Sequence, residues 1–238
     1  MVSTSREPAR ISGMFDRIAH RYDRMNRVLS VGLDQRWRAR GIRELQLTGR
    51  EHVLDMCTGT ADLAIKAATM TPGAAQQVVG VDFAGEMLRI GLDKVRRANL
   101  QARVHLVRGD ATNVPLPDAS FDAAMVAFGI RNVHDYASAI DEFARVLKPG
   151  GRLAILEFGH PQLPLIKQCY RWYFTKLLPL IGRWGSKHQE AYSYLPASVD
   201  TFPEPAAFAT LLTQHGFSSV RTVPLTMGTV YLYVAVRA

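Results

Sequence analysis

Val53-Leu54-Asp55-Met56-Cys57-Thr58-Gly59-Thr60-Ala61-Asp62 is the stretch that decides the fold. An apolar run meets an acid, then a tight turn of small residues, then the start of a helix. Further on, the apolar segment QVVGVD ends in Asp82. Strand, small-residue turn, helix, strand and terminal acid form the unit by which an α/β sheet holds an adenosine-bearing cofactor.

The neighbouring sequence extends this unit. HVLDM (52–56), QVVGVD (77–82), RVHLVRGD (103–110), FDAAMVAFG (121–129) and GRLAILEFG (151–159) read as five short buried strands. Helical segments over 61–70, 85–98 and 135–147 lie between them, the last expected to stop at Pro149-Gly150-Gly151. Alternating strands and helices imply a parallel sheet with right-handed crossovers. Upstream, Phe15, Ile18, Tyr22, Met25 and Leu29 share one face of a helix over 14–30, with Arg17, Arg21 and Arg24 on another. A second helix covers 34–46. Residues 161–200 interrupt the alternation with a helical insertion whose apolar face carries Ile166, Cys169, Tyr170, Tyr173, Phe174 and Leu177. A helix over 205–215 ends at Gly216, and two closely spaced strands, 218–226 and 229–238, read as an antiparallel pair.

The expected fold is therefore α/β: a Rossmann-like seven-stranded sheet with five parallel strands and an antiparallel C-terminal hairpin. That is the class I architecture of methyltransferases dependent on S-adenosylmethionine (SAM). The chain reads as one domain: a helical cap (1–48), a cofactor core (49–160), the helical insertion (161–200) and a final helix with its strand pair (201–238).

The two cysteines, Cys57 and Cys169, lie far apart and form no disulfide framework, which points to a reducing cytoplasm. The opening MVSTSREPAR lacks the apolar region of a secretion signal. No run reaches the roughly 18 apolar residues of a membrane span. The formal net charge of +8 is unevenly placed: +6 over residues 1–50, −2 over 51–160 and +4 over 161–190. Basic flanks around a slightly acidic core suit an anionic partner, although they also serve as an ordinary solvated surface.

The cofactor residues follow from what SAM requires. Its methionyl part must lie against a backbone turn free of inward side chains, and Gly59 is the turn's only glycine. Asp55 is placed to meet the ammonium group and Thr60 the methionyl part. Asp82 suits the two vicinal ribose hydroxyls, with Phe83 beside it. Asp110 and the Ala111 amide suit the adenine edge, and Ala127 ends the fourth strand. A dinucleotide fingerprint would need glycines where Cys57 and Asp62 stand. The reading calls for no metal.

With these residues in place, the chain resembles the UbiE/MenG family of quinone C-methyltransferases over nearly its whole length. MFDRIAHRYDRMNRVLSVGLDQRWR is similar to the family's N-terminal signature, VLDMCTGTADLA to its cofactor loop and YSYLPASVDTFP to its substrate-side motif. AFGIRNVHD followed by VLKPGGRLAILEFGHP is the most specific match. The final TMGTVYLYVAVRA departs from the usual family ending. The resemblance implies methyl transfer to a ring carbon of a prenylated quinol, with demethylmenaquinol favoured by the cysteine-containing loop. Arg131 and Asn132 are the implied catalytic pair, with Tyr22, Asn26, Glu157 and Tyr194 facing substrate. Arg131 has a competing structural role, a salt bridge to Asp135. His134 and His160 read as surface or loop residues. The alternative is a SAM-dependent methyltransferase acting on another small lipophilic or phenolic acceptor. No nucleic acid is expected; a vestigial enzyme that binds RNA is the reading from another class. The basic, aromatic-rich flanks, with Trp172, Tyr173, Phe174 and Trp184, are candidates for transient contact with an anionic membrane surface.

Overall fold

The computed structural model describes residues 8–172 and 189–238. Two helices, α1 (Pro8–Leu29) and α2 (Asp34–Glu44), precede the sheet. Then follow β1 (His52–Met56), α3 (Asp62–Thr69), β2 (Gln77–Asp82), α4 (Gly85–Arg97), β3 (Val104–Arg108) and β4 (Phe121–Ala127). A 3₁₀ turn (Ile130–Asn132), α5 (Tyr136–Val146) and β5 (Leu147–Phe158) come next. The chain closes with α6 (Pro164–Trp172), α7 (Gln189–Asp200), α8 (Pro205–Gln214), β6 (Phe217–Leu225) and β7 (Val230–Arg237).

The seven strands lie in the order β3-β2-β1-β4-β5-β7-β6. The first five are parallel, and β7 runs antiparallel between β5 and β6. Strand order reverses between β1 and β4, which opens a crevice at their carboxyl ends. Alternate residues feed the two faces of the sheet. Leu54, Met56, Leu153 and Ile155 pack with Phe143 of α5 and Phe208 of α8 on one face. Val53, Ala154 and Leu156 pack with Trp37 of α2 and Leu63 of α3 on the other.

The cap is built on the same logic. Ile11, Met14 and Ile18 form the buried stripe of α1, joined by Tyr194 of α7. Asp16 Oδ1 accepts the Glu86 amide at 2.9 Å, capping the first turn of α4. Helix α1 starts earlier than its apolar spacing suggested, because Ile11 continues the stripe past Gly13. Helix α5 ends at Val146 rather than at Pro149-Gly150-Gly151. Leu147 already has extended angles, φ −74° and ψ 143°, and pairs with Phe121, so β5 begins there.

Candidate active site

The crevice holds a narrow cavity of about 60 Å³. Its walls come from the ends of four strands: Cys57 and Gly59 after β1, Asp82 and Phe83 after β2, Asp110 and Ala111 after β3, and Ala127, Phe128, Gly129, Asn132, Val133 and His134 after β4. Phe15 and Tyr22 of α1 close it from above. Gly59 has φ +57°, and a Cβ there would meet no atom within 4 Å, so the turn presents bare backbone to open space. Gly129 is needed for a different reason: its Cβ would sit 2.4 Å from the Cβ of Cys57. The turns after β1 and β4 touch there, and their left-handed residues Cys57 (φ 53°) and Phe128 (φ 63°) set that approach.

Asp82 is the best-held acid of the cavity. Its Oδ2 accepts the Gly59 amide at 2.8 Å and its Oδ1 the Ala84 amide at 2.9 Å. Burial pushes its pKa up to about 6 although these amides pull it down. Asp110 Oδ1 accepts the amide and hydroxyl of Thr112.

Asp55 lies behind the turn and lines neither this cavity nor the next. Its Oδ2 accepts the Thr58 hydroxyl at 2.5 Å, while its Oδ1 is buried without a partner. Burial raises its pKa to about 7, against the Thr58 bond. Thr60, expected above to meet the methionyl part, has its hydroxyl taken within the protein. It is buried, and its hydroxyl donates to Asp23 Oδ1 of α1 at 2.6 Å. Lys94 completes that latch, 3.0 Å from Asp23 Oδ2 and also bonded to Asp62. The first helix is thereby fastened to the cofactor loop. The bare Gly59 turn, Asp82 and the Asp110-Ala111 corner line a cavity that fits the nucleoside part of a SAM molecule, with the orphan oxygen of Asp55 behind the turn.

A second cavity, of about 250 Å³, adjoins the first and shares Phe15, Tyr22 and Phe128 with it. Its lining is mostly apolar and includes Met14, Ile18, Met25, Leu29, Trp37 and Phe158. Tyr22, Asn26, Arg131 and Tyr194 all reach it, and Asn132 faces the first cavity while accepting the Tyr194 hydroxyl at 3.1 Å. Tyr22 is half-buried beside Asn26, and desolvation raises its pKa in spite of the Arg131 charge.

Arg131 does not bridge to Asp135. Asp135 instead caps α5, accepting the Ala137 amide at 3.0 Å and the Ser138 hydroxyl at 2.6 Å. The partner of Arg131 is Glu157, with Nη1 donating to Oε1 at 2.9 Å and the Arg131 amide donating to Oε2 at 3.2 Å. Nη1 also donates to the Phe128 carbonyl, and Nε to Ser198 Oγ at 3.2 Å. Burial opposes the charge of Arg131, but Glu157 more than offsets it and raises the pKa. Glu157 is fully buried and lines neither cavity, so it acts on any substrate only through Arg131.

The sequence did not single out Arg38, Trp37, Phe15 or Phe158, all of which line the apolar cavity. His134 is exposed yet lines the cofactor cavity. The side chain of Trp172, and Tyr173, Phe174 and Trp184, lie outside the described residues.

A family model for the ubiE/COQ5 methyltransferases matches residues 3–237. The chain belongs to that family. It is 44% identical over 237 residues to a ubiquinone/menaquinone biosynthesis C-methyltransferase UbiE of Geobacter sp. (strain M21), covering 100% of both chains. It is 44% identical to a demethylmenaquinone methyltransferase of Thermus thermophilus, covering 94% of this chain and 100% of that one. A SAM-dependent methyltransferase structure from Methanococcus maripaludis superposes with a TM-score of 0.66 at 19% identity, covering 94% and 93% of the two chains. That likeness shows the fold. Membership in the family makes the chain a SAM-dependent C-methyltransferase of quinone biosynthesis and SAM its cofactor.

Proposed function

We propose that the acceptor is a prenylated demethylmenaquinol in its reduced form, methylated at a ring carbon. The observation that carries this reading is the pair of contiguous cavities. A narrow one carries buried acids, and a larger apolar one meets it at Phe15, Tyr22 and Phe128. The apolar cavity is of the size and character that a naphthol ring and the start of a prenyl tail require.

When bound, SAM supplies the electrophilic methyl group. Asp82, Asp110 and the bare Gly59 backbone would hold its nucleoside and turn, with Asp55 behind them. The ring carbon becomes nucleophilic once a neighbouring hydroxyl is ionised. Arg131 stabilises negative charge at that oxygen; it stays protonated and is no base. Glu157 and Ser198 fix its fork. Asn132, held by Tyr194, orients a hydroxyl in the mouth between the cavities. Tyr22 and Asn26 form the wall that α1 lowers over both sites.

Within residues 1–48, α1 and α2 act as a cap on the core, and the open end of the apolar cavity faces a lipid surface. Val28, Val31, Leu163 and Met227 are exposed apolar residues, and Val31 and Thr226 line the cavity itself. No helix among the described residues is long and apolar enough to cross a membrane. The contact we propose is peripheral, assisted by the arginines of α1. Flotation with vesicles rich in acidic lipid tests it; absence of binding at low salt refutes it.

The deciding experiment is methyl transfer from labelled SAM to reduced demethylmenaquinol and reduced demethyl-benzoquinol with short prenyl tails. Product that requires reduction of the acceptor and is faster on the naphthoquinol is expected. Tight SAM binding with no product on either ring rejects the acceptor.

A further inference from the structure

Arg38 is a cation without a proper partner. It projects from α2 into the apolar cavity, and its side chain is only 9% exposed. Its Nε is buried and forms no hydrogen bond, and no described residue hydrogen-bonds any part of the guanidinium. The nearest acid is Asp34, with Oδ2 3.9 Å from Nε. Asp34 is already shared, accepting Ser30 Oγ at 2.9 Å and Gln35 Nε2 at 3.0 Å. A buried guanidinium normally has its fork filled by acceptors, because desolvation costs more than one loose contact returns.

Its position is specific. The Cζ of Arg38 lies 5.6 Å from the centre of the Phe128 ring, and Phe128 belongs to both cavities. The Cζ of Arg131 lies 5.4 Å from the Phe158 ring, and the two rings are 4.7 Å apart. Two guanidinium groups thus flank one aromatic pair. Arg131 is neutralised by Glu157 and bonded at Nη1 and Nε, whereas the donors of Arg38 remain available.

We infer that Arg38 binds a ring oxygen of the aromatic acceptor and stabilises it as the phenolate. This rests on the quinol reading above. Arginine presents donors only and a fixed positive charge, so it favours an ionised oxygen over a neutral hydroxyl. The proton leaves to water before the carbon reacts. The charged and titratable groups facing Arg38 are Asp34 on its own helix, Tyr22 of α1, and Arg131 with Glu157 behind it. Among the described residues, Tyr170 of α6, Tyr194 of α7 and the more distant Asp55 join them. Its charge already acts on Tyr22 and Asp55, drawing both towards ionisation.

The test uses Arg38→Met and Arg38→Lys in the full chain, with SAM affinity and circular dichroism confirming intact folds. For Arg38→Met, kcat at pH 7 is expected to fall about 10- to 100-fold. The acid limb of its pH profile should move up by at least about one pH unit, so the loss shrinks as pH rises. Arg38→Lys keeps the charge and should hold the limb within about half a pH unit, with a raised KM from the lost fork. A second readout needs no turnover: absorbance titration of bound 1-naphthol, whose hydroxyl should ionise at lower pH in the wild type than in Arg38→Met. An unmoved limb and an unmoved naphthol titration, whatever the activity, overturn the inference. If the wild type methylates neither quinol, the acceptor reading fails by itself; the naphthol titration still decides for Arg38.

Discussion

Removing the charge of Asp82 should make the cofactor-free protein more stable at neutral pH while abolishing tight SAM binding. The carboxyl titrates near 3.8 when solvated and at about 6 here, chiefly because it is buried. The sign follows directly. Between pH 3.8 and 6 the folded chain holds a proton that the unfolded chain has released, so stability falls as pH rises through that window and stays low above it. At 1.36 kcal/mol per pH unit the ionised carboxylate destabilises the folded state by about 3 kcal/mol. Asp82→Asn removes this but keeps one acceptor oxygen for two amides, those of Gly59 and Ala84. The amide left unpaired costs about 1–2 kcal/mol. The net gain above pH 6 is about 1–2 kcal/mol, or roughly 2–8 °C in Tm for a chain of this length. Below pH 4 only the loss remains and the variant is the weaker protein. Thermal melts of both proteins across pH 4–8 should therefore cross. Calorimetry at pH 8 should show SAM affinity lowered at least about 100-fold, since a carboxylate accepting hydroxyls makes charge-assisted bonds. A variant less stable than wild type at every pH refutes the assignment of Asp82 as a strained, ligand-facing acid.

Two further substitutions test the packing around the site. Glu157→Gln leaves Arg131 buried without its counter-charge and should cost about 3–5 kcal/mol by urea unfolding. Pairing Glu157→Leu with Arg131→Met should restore most of that stability in an inactive protein, and failure of the pair to recover would argue against a simple ion-pair role. Gly129→Ala places a Cβ 2.4 Å from that of Cys57. It should cost about 1–3 kcal/mol as overpacking. Cys57→Gly, which suits the left-handed angles of residue 57, should return most of that loss in the double variant.

The sheet was legible because its signals are local. Each buried strand is a short apolar run, and an acid stands at or just past the end of three of them; the positions of Asp55, Asp82 and Asp110 at the sheet's carboxyl edge needed no tertiary information. The strand pair at the C-terminus was equally plain from the brevity of the link between its halves. What escaped was set by partners distant in sequence. Thr60 looked like a ligand residue until Asp23, on a helix far upstream, took its hydroxyl. Asp135 is the nearer acid to Arg131 in sequence, but Glu157 on the adjacent strand wins because it is buried with it. Arg38 sits in DQRWRARGIRE, a helix so rich in charge that it reads as solvated. The neighbouring Trp37 was its one local sign of burial.

Completeness of bonding separates charges that the fold already holds in position from those with an atom left over for a ligand. Arg131 and Glu157 are both buried, and Glu157 oxygens accept two Arg131 donors and the Phe158 amide. A closed network of that kind holds its shape without help from a ligand. Asp55 and Arg38 are as deeply buried, yet each keeps a polar atom with no partner. Asp82 accepts an amide at each oxygen, yet burial still raises its pKa. Evolutionary economy would not leave three such charges in a core that could have been apolar, since each destabilises the fold. Asp82 lines the narrow cavity with Asp55 behind its turn, and the Arg38 cation lines the apolar cavity. That polarity matches the reaction's own demand: anionic groups for a cationic cofactor, and a cation for the oxygen that must become a phenolate.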